Sequence, residues 1–498
     1  MVLFRNVRVI DGDLNPEYKA DVLVSNGSPS LGTTAHRGKI LQIGDLKGVK
    51  VAQTVAGNLG YLMPGLLDIY SRVDHSFDLM HNFAQKNYLD QGVTSIILGH
   101  QGSSLAPLLY GSLECLKKWG GKDGVCVGWH NVKEFLHYLK QQKLGVILGT
   151  LVGRGTMRGT VFGEVNRGLT ENELKILNHI TEESLKEGAL GVSFGLNFAH
   201  TKNTAYEEVR DLALLAAKYN KVCEVQIRGE GEAMYEALNE AWKIYEETAV
   251  KMVIIGVKPY LGSEADFDRA FELFAKRARG TNCYLLLDWS EDSFRPVYSL
   301  LPEVMRYGSL GEMCEDLKNK YKQEEVLKHW GRLSPDFVKF VSAQNLHSVC
   351  GKTLGEVAAN RGLSLGKALI EVMLQSHLRA SVLIKNVNLE KMEEVVGHEN
   401  VLVGGTLASH GVANSGVFLD LIERVLRGKK ISLEKLINKL TAQVYDLYGV
   451  KGGRLKVGER ADLCLLLNNE MRSVVVDGRL VKNQERFLKS GSFGRVIS

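Results

Sequence analysis

The feature that most constrains the fold is a regular alternation of two kinds of segment through the middle of the chain. Eight apolar runs of strand length are each followed by an amphipathic stretch long enough for a helix. The runs are LMPGLLDIY, GVTSIILGH, LGVILGTLVG, GALGVSFG, KVCEVQI, KMVIIGV, NCYLLLDW and NVLVGG. Eight such β-then-α units in one uninterrupted chain predict a closed, TIM-like (β/α)8 barrel rather than an open sheet.

The two ends of the chain have a different pattern. Short apolar runs separated by Gly, Asn, Asp and Pro show no helical period there, which is typical of strands. We therefore predict a small β-sandwich domain built from both termini, residues 1–58 and 456–498. The barrel is expected over 59–455, with an insertion near 292–357, where the pattern is least regular.

Two sequence signatures predict where barrel helices begin. Thr170 with Glu173, and Thr204 with Glu207, both match the capping box, in which each side chain satisfies a free backbone amide of the first turn. The first of these helices would carry apolar residues on one face. Both signatures agree with helices that follow strands of the barrel.

The composition of the chain limits which binding partners and which cellular compartment we expect. The chain has 62 Lys and Arg against 57 Asp and Glu, a net charge of only +5 without long like-charge runs, which argues against nucleic-acid and membrane partners. No signal-peptide pattern opens the sequence, and no apolar run reaches eighteen residues. Scattered cysteines without a CxxC pair indicate reduced thiols. We therefore expect a cytoplasmic protein whose partner is a small molecule, another protein or a second copy of itself.

The order of several longer motifs is specific enough to suggest a family. VIDG, ADVLVSNG, PGLLD, GVTSIILG, LVGRGTMRG, GALGVSFGL, QIRGEGE, VIIGVK and GRLKVGERADLCLL follow one another along the chain. In this order and spacing they resemble the amidohydrolase superfamily, specifically the N-acyl-D-amino-acid deacylases (D-aminoacylases). The resemblance runs essentially from end to end.

The resemblance implies a barrel whose strand ends hold one or two zinc ions, with a metal-bound hydroxide attacking an amide carbonyl. The first strand should then end in Asp-x-His-x-His, but Asp68 is followed by Tyr70 and Arg72. The second should lead to a metal-binding cysteine, but Gln101 stands there. Arg154 takes the place of another family histidine. The substituted metal or acid-base positions implied by the resemblance are Tyr70, Arg72, Gln101, Gln226, Gly256 and Thr406.

Other residues offer potential ligands near the first strand. Asp74, His75, Asp78 and His81 lie within a short span. We interpret them as a solvated loop and first helical turn, because a catalytic site in such a barrel draws on several strands. His100 lies next to Gln101 and should point to the opposite face if the strand continues that far, so we do not expect it to replace the cysteine.

Cationic residues follow several of the predicted strands. We take Arg72, Arg158, Arg228 and Lys258 as candidate substrate-binding residues, since together they would make a mouth that holds a carboxylate or phosphate. The resemblance implies that Lys258 contacts the substrate carboxylate. A second interpretation stays open, in which Arg72 pairs with Asp68, and Arg228 with Glu230 or a neighbour, as salt-bridged plugs.

The sequence thus predicts a catalytically degenerate amidohydrolase-like protein, a pseudoenzyme without a zinc site, a cofactor or an assigned catalytic residue. It would bind an anionic small molecule or act as an assembly partner, as a homo-oligomer or with another protein. The alternative is an active hydrolase of non-peptide C–N bonds in N-acyl amino acids, using an altered metal site, with zinc as cofactor, or a metal-free mechanism. A third possibility is a metal-independent lyase or isomerase that uses Lys258 and the arginines. Whether the chain is an enzyme is left open by the residues alone.

Overall fold

The computed structural model describes residues 1–26, 38–75, 77–114, 116, 127–163, 167–198, 201–330, 334–405, 416–428, 430–484, 486–487 and 493–498. Within these residues the protein is an α/β structure with a central barrel of parallel strands and a β-rich part made from both ends of the chain.

Strands from both ends of the chain form one nine-stranded sheet. They are β1 (Val2–Val9), β2 (Tyr18–Val24), β3 (Ile40–Gly44), β4 (Gln53–Ala56), β5 (Tyr61–Pro64), β18 (Leu463–Leu467), β19 (Glu470–Val476), β20 (Arg479–Asn483) and β21 (Arg486–Phe487). β5 pairs antiparallel with β18 and so joins the two ends directly, although β5 falls within the range predicted for the barrel. Valine and leucine side chains from both ends share one core.

The barrel is built from eight parallel strand positions, one from each predicted apolar run. They are β6 (Leu66–Asp68), β7 (Val93–Leu98), β8 and β9 (Ile147–Thr150 and Val152–Gly153), β10 (Gly191–Gly195), β11 (Val222–Gln226), β12 (Lys251–Ile255), β13 (Cys283–Asp288) and β17 (Val401–Gly404). β8 and β9 form one run interrupted at Leu151. β17 meets β6 where the Gly405 amide donates to Asp68 Oδ1 at 3.1 Å.

Helices follow the barrel strands as predicted. They are α1 (Asp78–His81), α2 (Lys86–Leu89), α3 (Val132–Lys140), α4 (Arg154–Phe162), α5 (Glu171–Lys186), α6 (Tyr206–Lys218), α7 (Met234–Thr248), α8 (Glu264–Ala278), α13 (Leu389–Val395), α14 (Val417–Gly428), α15 (Leu433–Leu440) and α16 (Ala442–Leu447). Thr170 and Glu173 form the predicted capping box at α5. The capping box predicted at Thr204 is wrong, because its hydroxyl donates to the Thr201 carbonyl, and Ala205 stands at the N-cap position of α6 without a side-chain hydrogen bond. No described helix is long and apolar enough to cross a membrane.

A separate segment between β13 and β17 packs on the carboxyl end of the barrel. It contains β14 (Asp292–Pro296), β15 (Val338–Ala343), β16 (Ala380–Lys385), α9 (Leu310–Leu317), α10 (Lys320–His329), α11 (Leu354–Arg361) and α12 (Leu365–Gln375). The strands form an antiparallel sheet in the order β14-β16-β15, and the segment has its own apolar core. The insertion predicted over 292–357 corresponds to the first part of this inserted segment, which continues through β16.

Candidate ligand site

The positions at which the resemblance implies metal ligands lie at the carboxyl end of the barrel. They are Tyr70 and Arg72 after β6, Gln101 after β7, Gln226 at the end of β11 and Gly256 after β12. Thr406 lies outside the described residues. The four side chains are buried. Gly256 has a φ of 93°, and a Cβ there would come within 3.3 Å of Gln226 Cγ, so the position has no room for a larger side chain without local movement.

Two cationic side chains converge on one carboxylate at this end of the barrel. Lys258 Nζ donates to Asp288 Oδ2 at 2.6 Å, and an Arg72 guanidinium nitrogen lies 3.6 Å from the same oxygen. Lys258, Arg72 and Asp288 are 6%, 3% and 2% exposed, so the ion pairs are shielded from water. We call these three residues the Asp288 cluster. The predicted pairing of Arg72 with Asp68 is therefore wrong, because Asp288 supplies the carboxylate.

Asp68 has a structural role in closing the barrel. Its Oδ1 accepts hydrogen bonds from the backbone amides of Tyr70, at 3.0 Å, and of Gly405, at 3.1 Å. Its Oδ2 has no hydrogen-bond partner among the described residues. Burial raises the pKa of Asp68 to about 7, against the lowering effect of the two amides. The carboxyl group of Asp68 therefore changes from protonated to ionised near neutral pH.

Aromatic rings cover the guanidinium of Arg72. It lies 4.5 Å from the ring centroid of Tyr70 and 5.0 Å from that of Phe294, and it donates to the Phe294 carbonyl at 3.5 Å. Gln101 Nε2 donates to the Tyr70 hydroxyl at 3.0 Å, and burial raises the pKa of that hydroxyl. Because Phe294 belongs to β14, the inserted segment completes the surroundings of Arg72.

The Asp288 cluster carries more positive than negative charge. Burial lowers the pKa of Lys258 and Arg72 lowers it further, whereas Asp288 raises it. With Lys258 protonated, two cations face one carboxylate in a buried place. An anionic group that reached this place would meet an uncompensated positive charge and charge-assisted hydrogen-bond donors.

A second cluster, which we call the Glu208 cluster, lies where α4 follows β9. Arg154 Nε donates to Glu208 Oε1 at 2.5 Å, and an Arg158 nitrogen lies 3.7 Å from Glu208 Oε2. Both terminal nitrogens of Arg154 are buried without a hydrogen-bond partner among the described residues. Burial lowers the pKa of Arg158, and the charge of Arg154 lowers it further. This cluster also places two cations on one carboxylate.

Arg228 is paired on the rim of the barrel. It donates to both carboxylate oxygens of Glu240, at 3.1 and 2.7 Å, and to the Thr204 carbonyl at 3.0 Å. Glu230, its predicted partner, instead pairs with Arg295 of the inserted segment. The specific Arg228–Glu230 pair is therefore wrong. Since every predicted cationic residue has an acidic partner within the protein, the mouth is less positive than its basic residues alone would make it.

Buried acid–histidine pairs occupy the loops after β6 and β7. His100 Nδ1 lies 2.6 Å from Glu224, and its Nε2 lies 2.9 Å from the Ile97 carbonyl. Burial lowers the pKa of His100, but Glu224 outweighs this effect and the net shift is upward. Asp74 accepts from the Gly99 amide at 2.7 Å and lies beside the buried His75. The predicted solvated loop is wrong for Asp74, His75 and Asp78, which are buried, because this hydrogen bond draws the loop inward, whereas His81 is exposed.

These residues do not fit the zinc centre that the resemblance implies. The described part of the chain contains no group of three or more His, Cys, Asp or Glu side chains that could hold a metal ion. Both ring nitrogens of His100 already have partners, and Asp288 is engaged by two cations. The guanidinium of Arg72 keeps its positive charge and would repel a divalent cation.

The acidic partners were missed by sequence reasoning. Asp288 is the last residue of β13, in the run NCYLLLDW, so the rule that places functional side chains at the ends of barrel strands could have found it. Glu208 and Glu240 lie on α6 and α7 among other helical acidic residues. Nothing in their local pattern distinguishes them, because their partners come from other elements of the fold.

Comparison with known proteins places the chain among hydrolase-like relatives. The model of the Amidohydrolase family matches residues 308–481. D-aminoacylase of Alcaligenes xylosoxydans xylosoxydans is 26% identical over 250 residues, which cover 49% of this chain and about half, 48%, of that protein's length. N-acyl-D-aspartate deacylase of the same organism is 23% identical over 468 residues, covering 92% of this chain and 84% of that protein.

A solved structure shows the same fold. The N-acyl-D-glutamate deacylase from Bordetella bronchiseptica, complexed with zinc and a phosphonate inhibitor that mimics the tetrahedral intermediate, superimposes with a TM-score of 0.75. It is 19% identical, and the match covers 100% of this chain and 99% of that one. The resemblance to D-aminoacylase-like amidohydrolases and the predicted barrel with a β-rich domain are therefore confirmed.

Proposed function

We propose that this chain, which resembles the D-aminoacylase-like amidohydrolases in sequence and fold, is a catalytically degenerate member that binds an anionic small molecule. The ligand would be held by Arg72 and Lys258 at the carboxyl end of the barrel. Hydrolysis at a zinc centre would have been replaced by ligand binding.

The observation that carries this proposal is the excess positive charge of the Asp288 cluster. Arg72 and Lys258 share one carboxylate in a place that is almost fully buried. A carboxylate on the ligand would restore the charge balance and accept hydrogen bonds from either cation. The aromatic rings of Tyr70 and Phe294 keep water from the guanidinium, which strengthens such an interaction.

The chemistry of the substituted positions supports the loss of hydrolysis. The glutamate deacylase of known structure is complexed with zinc, whereas this chain has a tyrosine, an arginine and a glutamine at three of the positions implied to bind metal. Neutral tyrosine and glutamine are weak zinc ligands, and a guanidinium is none. We therefore assign no hydrolytic step to these residues.

The proposal is tested by measuring metal content, hydrolysis and binding on one preparation. Protein purified without chelators is analysed for transition metals and assayed for release of acetate from N-acetyl-D-aspartate and N-acetyl-D-glutamate, with and without added zinc. Calorimetric titration of the same two compounds then measures binding. We expect no stoichiometric metal, no hydrolysis, and binding that weakens about tenfold or more in Lys258→Met and Arg72→Met.

A matched variant controls for general effects of charge. Arg279→Met removes an exposed arginine that lies outside the site and should leave binding unchanged. Stoichiometric zinc together with hydrolysis that chelation abolishes would overturn the proposal and establish an active deacylase. If neither compound binds and the protein is a stable oligomer, the ligand-binding role is wrong and the assembly role is favoured.

A further inference from the structure

A cavity of about 620 Å³ opens beside the mouth of the barrel, between barrel loops and the inserted segment. We call it the lateral cavity, and its walls include Asn197, Lys202, Arg228, Arg295, Glu303 and Arg306. Its volume lies within the range of small-molecule sites, roughly 300–1,000 Å³. No step in the proposed function uses this cavity.

Ion pairs fix the walls of the lateral cavity. Arg228 pairs with Glu240 at 2.7 Å on the barrel side. Arg295 pairs with Glu230, and Lys202 with Glu303, so both of these pairs join the barrel to the inserted segment. Because these six side chains already have partners of opposite charge, they shape the cavity and contribute little net charge to a ligand.

Two charged side chains of the lateral cavity remain without an ion pair among the described residues. Arg306 follows the short turn Glu303–Met305 of the inserted segment, and its Nε is buried without a hydrogen-bond partner. Glu236 lies in the first turn of α7 and is exposed. The cavity thus presents one available cation on the inserted segment and one available carboxylate on the barrel.

We propose that the lateral cavity binds a short zwitterionic ligand, a free amino acid or a dipeptide, with its carboxylate on Arg306 and its ammonium group on Glu236. The planar guanidinium matches a carboxylate in two parallel hydrogen bonds, and a carboxylate is the natural partner of an ammonium group. A ligand with one charge would satisfy only one of the two side chains. This inference goes beyond the proposed function, because it concerns other residues and a ligand that carries both charges.

The test compares three achiral probes on the full chain. Glycylglycine carries both terminal charges, N-acetylglycylglycine carries only the carboxylate and glycylglycine amide carries only the ammonium group, and each is titrated calorimetrically. We expect glycylglycine to bind at least about tenfold more tightly than either analogue, since each analogue loses one charge-assisted hydrogen bond.

Two variants test which residue binds the carboxylate of the ligand and which binds its ammonium group. Arg306→Met should weaken the binding of glycylglycine at least about tenfold. Glu236→Gln should remove the preference for glycylglycine over its N-acetyl derivative. Arg279→Met and Glu232→Gln, which change exposed residues outside the cavity lining, should bind as the unaltered protein does. Because Glu236 is exposed, its substitution keeps the test valid even if Arg306→Met unfolds.

Several results would overturn this inference. They are equal binding of all three probes, no heat with glycylglycine at millimolar concentrations, and an unchanged preference in Glu236→Gln. Lys258→Met distinguishes this site from that of the proposed function. It should weaken the binding of the N-acetyl-D-amino acids and leave the binding of glycylglycine unchanged. Loss of glycylglycine binding in Lys258→Met would show that the lateral cavity is not a separate site.

Discussion

The Asp288 and Glu208 clusters both place two cations on one buried carboxylate, but they satisfy those cations differently. In the Asp288 cluster, Arg72 lies between two aromatic rings and reaches a backbone carbonyl, and its Nε alone has no hydrogen-bond partner among the described residues. In the Glu208 cluster, Arg154 makes one short hydrogen bond, and its two terminal nitrogens find no partner among the described residues. The two clusters therefore have the same number of cations per carboxylate but differ in the contacts around their arginines.

This difference separates two contributions to the stability of buried charges. The attraction between opposite charges is available to both clusters, whereas contacts that compensate for lost hydration are richer around Arg72. We therefore expect the Asp288 cluster to contribute more to stability. Three measurements bear on the stability of these clusters, and one further measurement, of pH dependence, concerns the neighbouring buried carboxyl groups of Asp68 and Asp74.

The largest effect is expected from Asp288→Asn. This substitution keeps the size of the side chain and leaves Arg72 and Lys258 buried without a counter-charge, which should cost about 5 kcal/mol, at the upper end for breaking a buried pair. Urea denaturation at pH 7 measures the loss. Glu240→Gln, which breaks the more exposed pair with Arg228, is the control and should cost about 1 kcal/mol. Equal losses in the two variants would contradict the importance of the Asp288 cluster.

The second measurement concerns pH and Asp68. Because its pKa is raised to about 7 in the folded protein, Asp68 binds its proton more tightly there than in the unfolded chain. Its contribution is complete below the unfolded pKa of about 3.9 and is lost as the pH rises through 7. Relative to Asp68→Asn, the unaltered protein should therefore lose up to about 4 kcal/mol of unfolding free energy between about pH 4 and 8.

A neighbouring carboxyl group provides the control for that experiment. The pKa of Asp74 is lowered in spite of its burial, through its interactions with His75 and the Gly99 amide. Asp74 therefore adds stability above its unfolded pKa and loses it as the pH falls, which is the opposite direction. The quantity to compare is the unfolding free energy of the unaltered protein minus that of each variant, as a function of pH. If this difference changes in the same direction for Asp68→Asn and Asp74→Asn, these assignments are contradicted.

The third measurement compares the two arginines directly. Arg72→Met removes contacts with two aromatic rings and one carbonyl, together with one nitrogen that lacks a partner among the described residues, whereas Arg154→Met removes two such nitrogens. We expect Arg72→Met to cost about 2 kcal/mol more than Arg154→Met. Both variants keep a cation beside the carboxylate, so charge alone does not separate them. Chemical denaturation checks the difference, and an equal or larger cost for Arg154→Met would refute the comparison.

The smallest effect is expected from Tyr70→Phe. The ring that covers Arg72 is kept, whereas the hydroxyl that accepts from Gln101 and interacts with Arg72 is lost. Loss of the interactions of the hydroxyl should cost about 1 kcal/mol. Tyr70→Leu, which removes the aromatic face as well, is the paired variant and should cost more. If both variants have the same unfolding free energy, the ring does not stabilise Arg72.

Elements that depend on local patterns were predicted well. The eight apolar runs became the strands of the barrel, because a strand buried on both faces needs a continuous apolar run. Thr170 caps α5 as its spacing predicts. Thr204 does not cap α6, because a nearby carbonyl of its own loop takes the hydroxyl. Local signals therefore fail where another local partner competes for the same group.

The candidate site was predicted in its location and not in its pairings. The sequence placed Arg72, Arg228 and Lys258 after barrel strands, and these residues lie at the carboxyl end of the barrel. Their partners Asp288 and Glu240, and the ring of Phe294, were not predicted. Phe294 lies 222 residues along the chain from Arg72, and no pattern within a strand or helix connects them.

The sequence by itself determined the alternation of strands and helices, the order of the barrel strands and the absence of histidine and cysteine at the implied metal positions. These are properties of short segments and of residue identity, and they need no long-range information. Only the tertiary structure decided which carboxylate faces each cation, that the inserted segment packs on Arg72, and that Arg306 and Glu236 line one cavity. The physical reason is that closing the barrel and packing the inserted segment on its mouth bring together side chains that are distant in the chain.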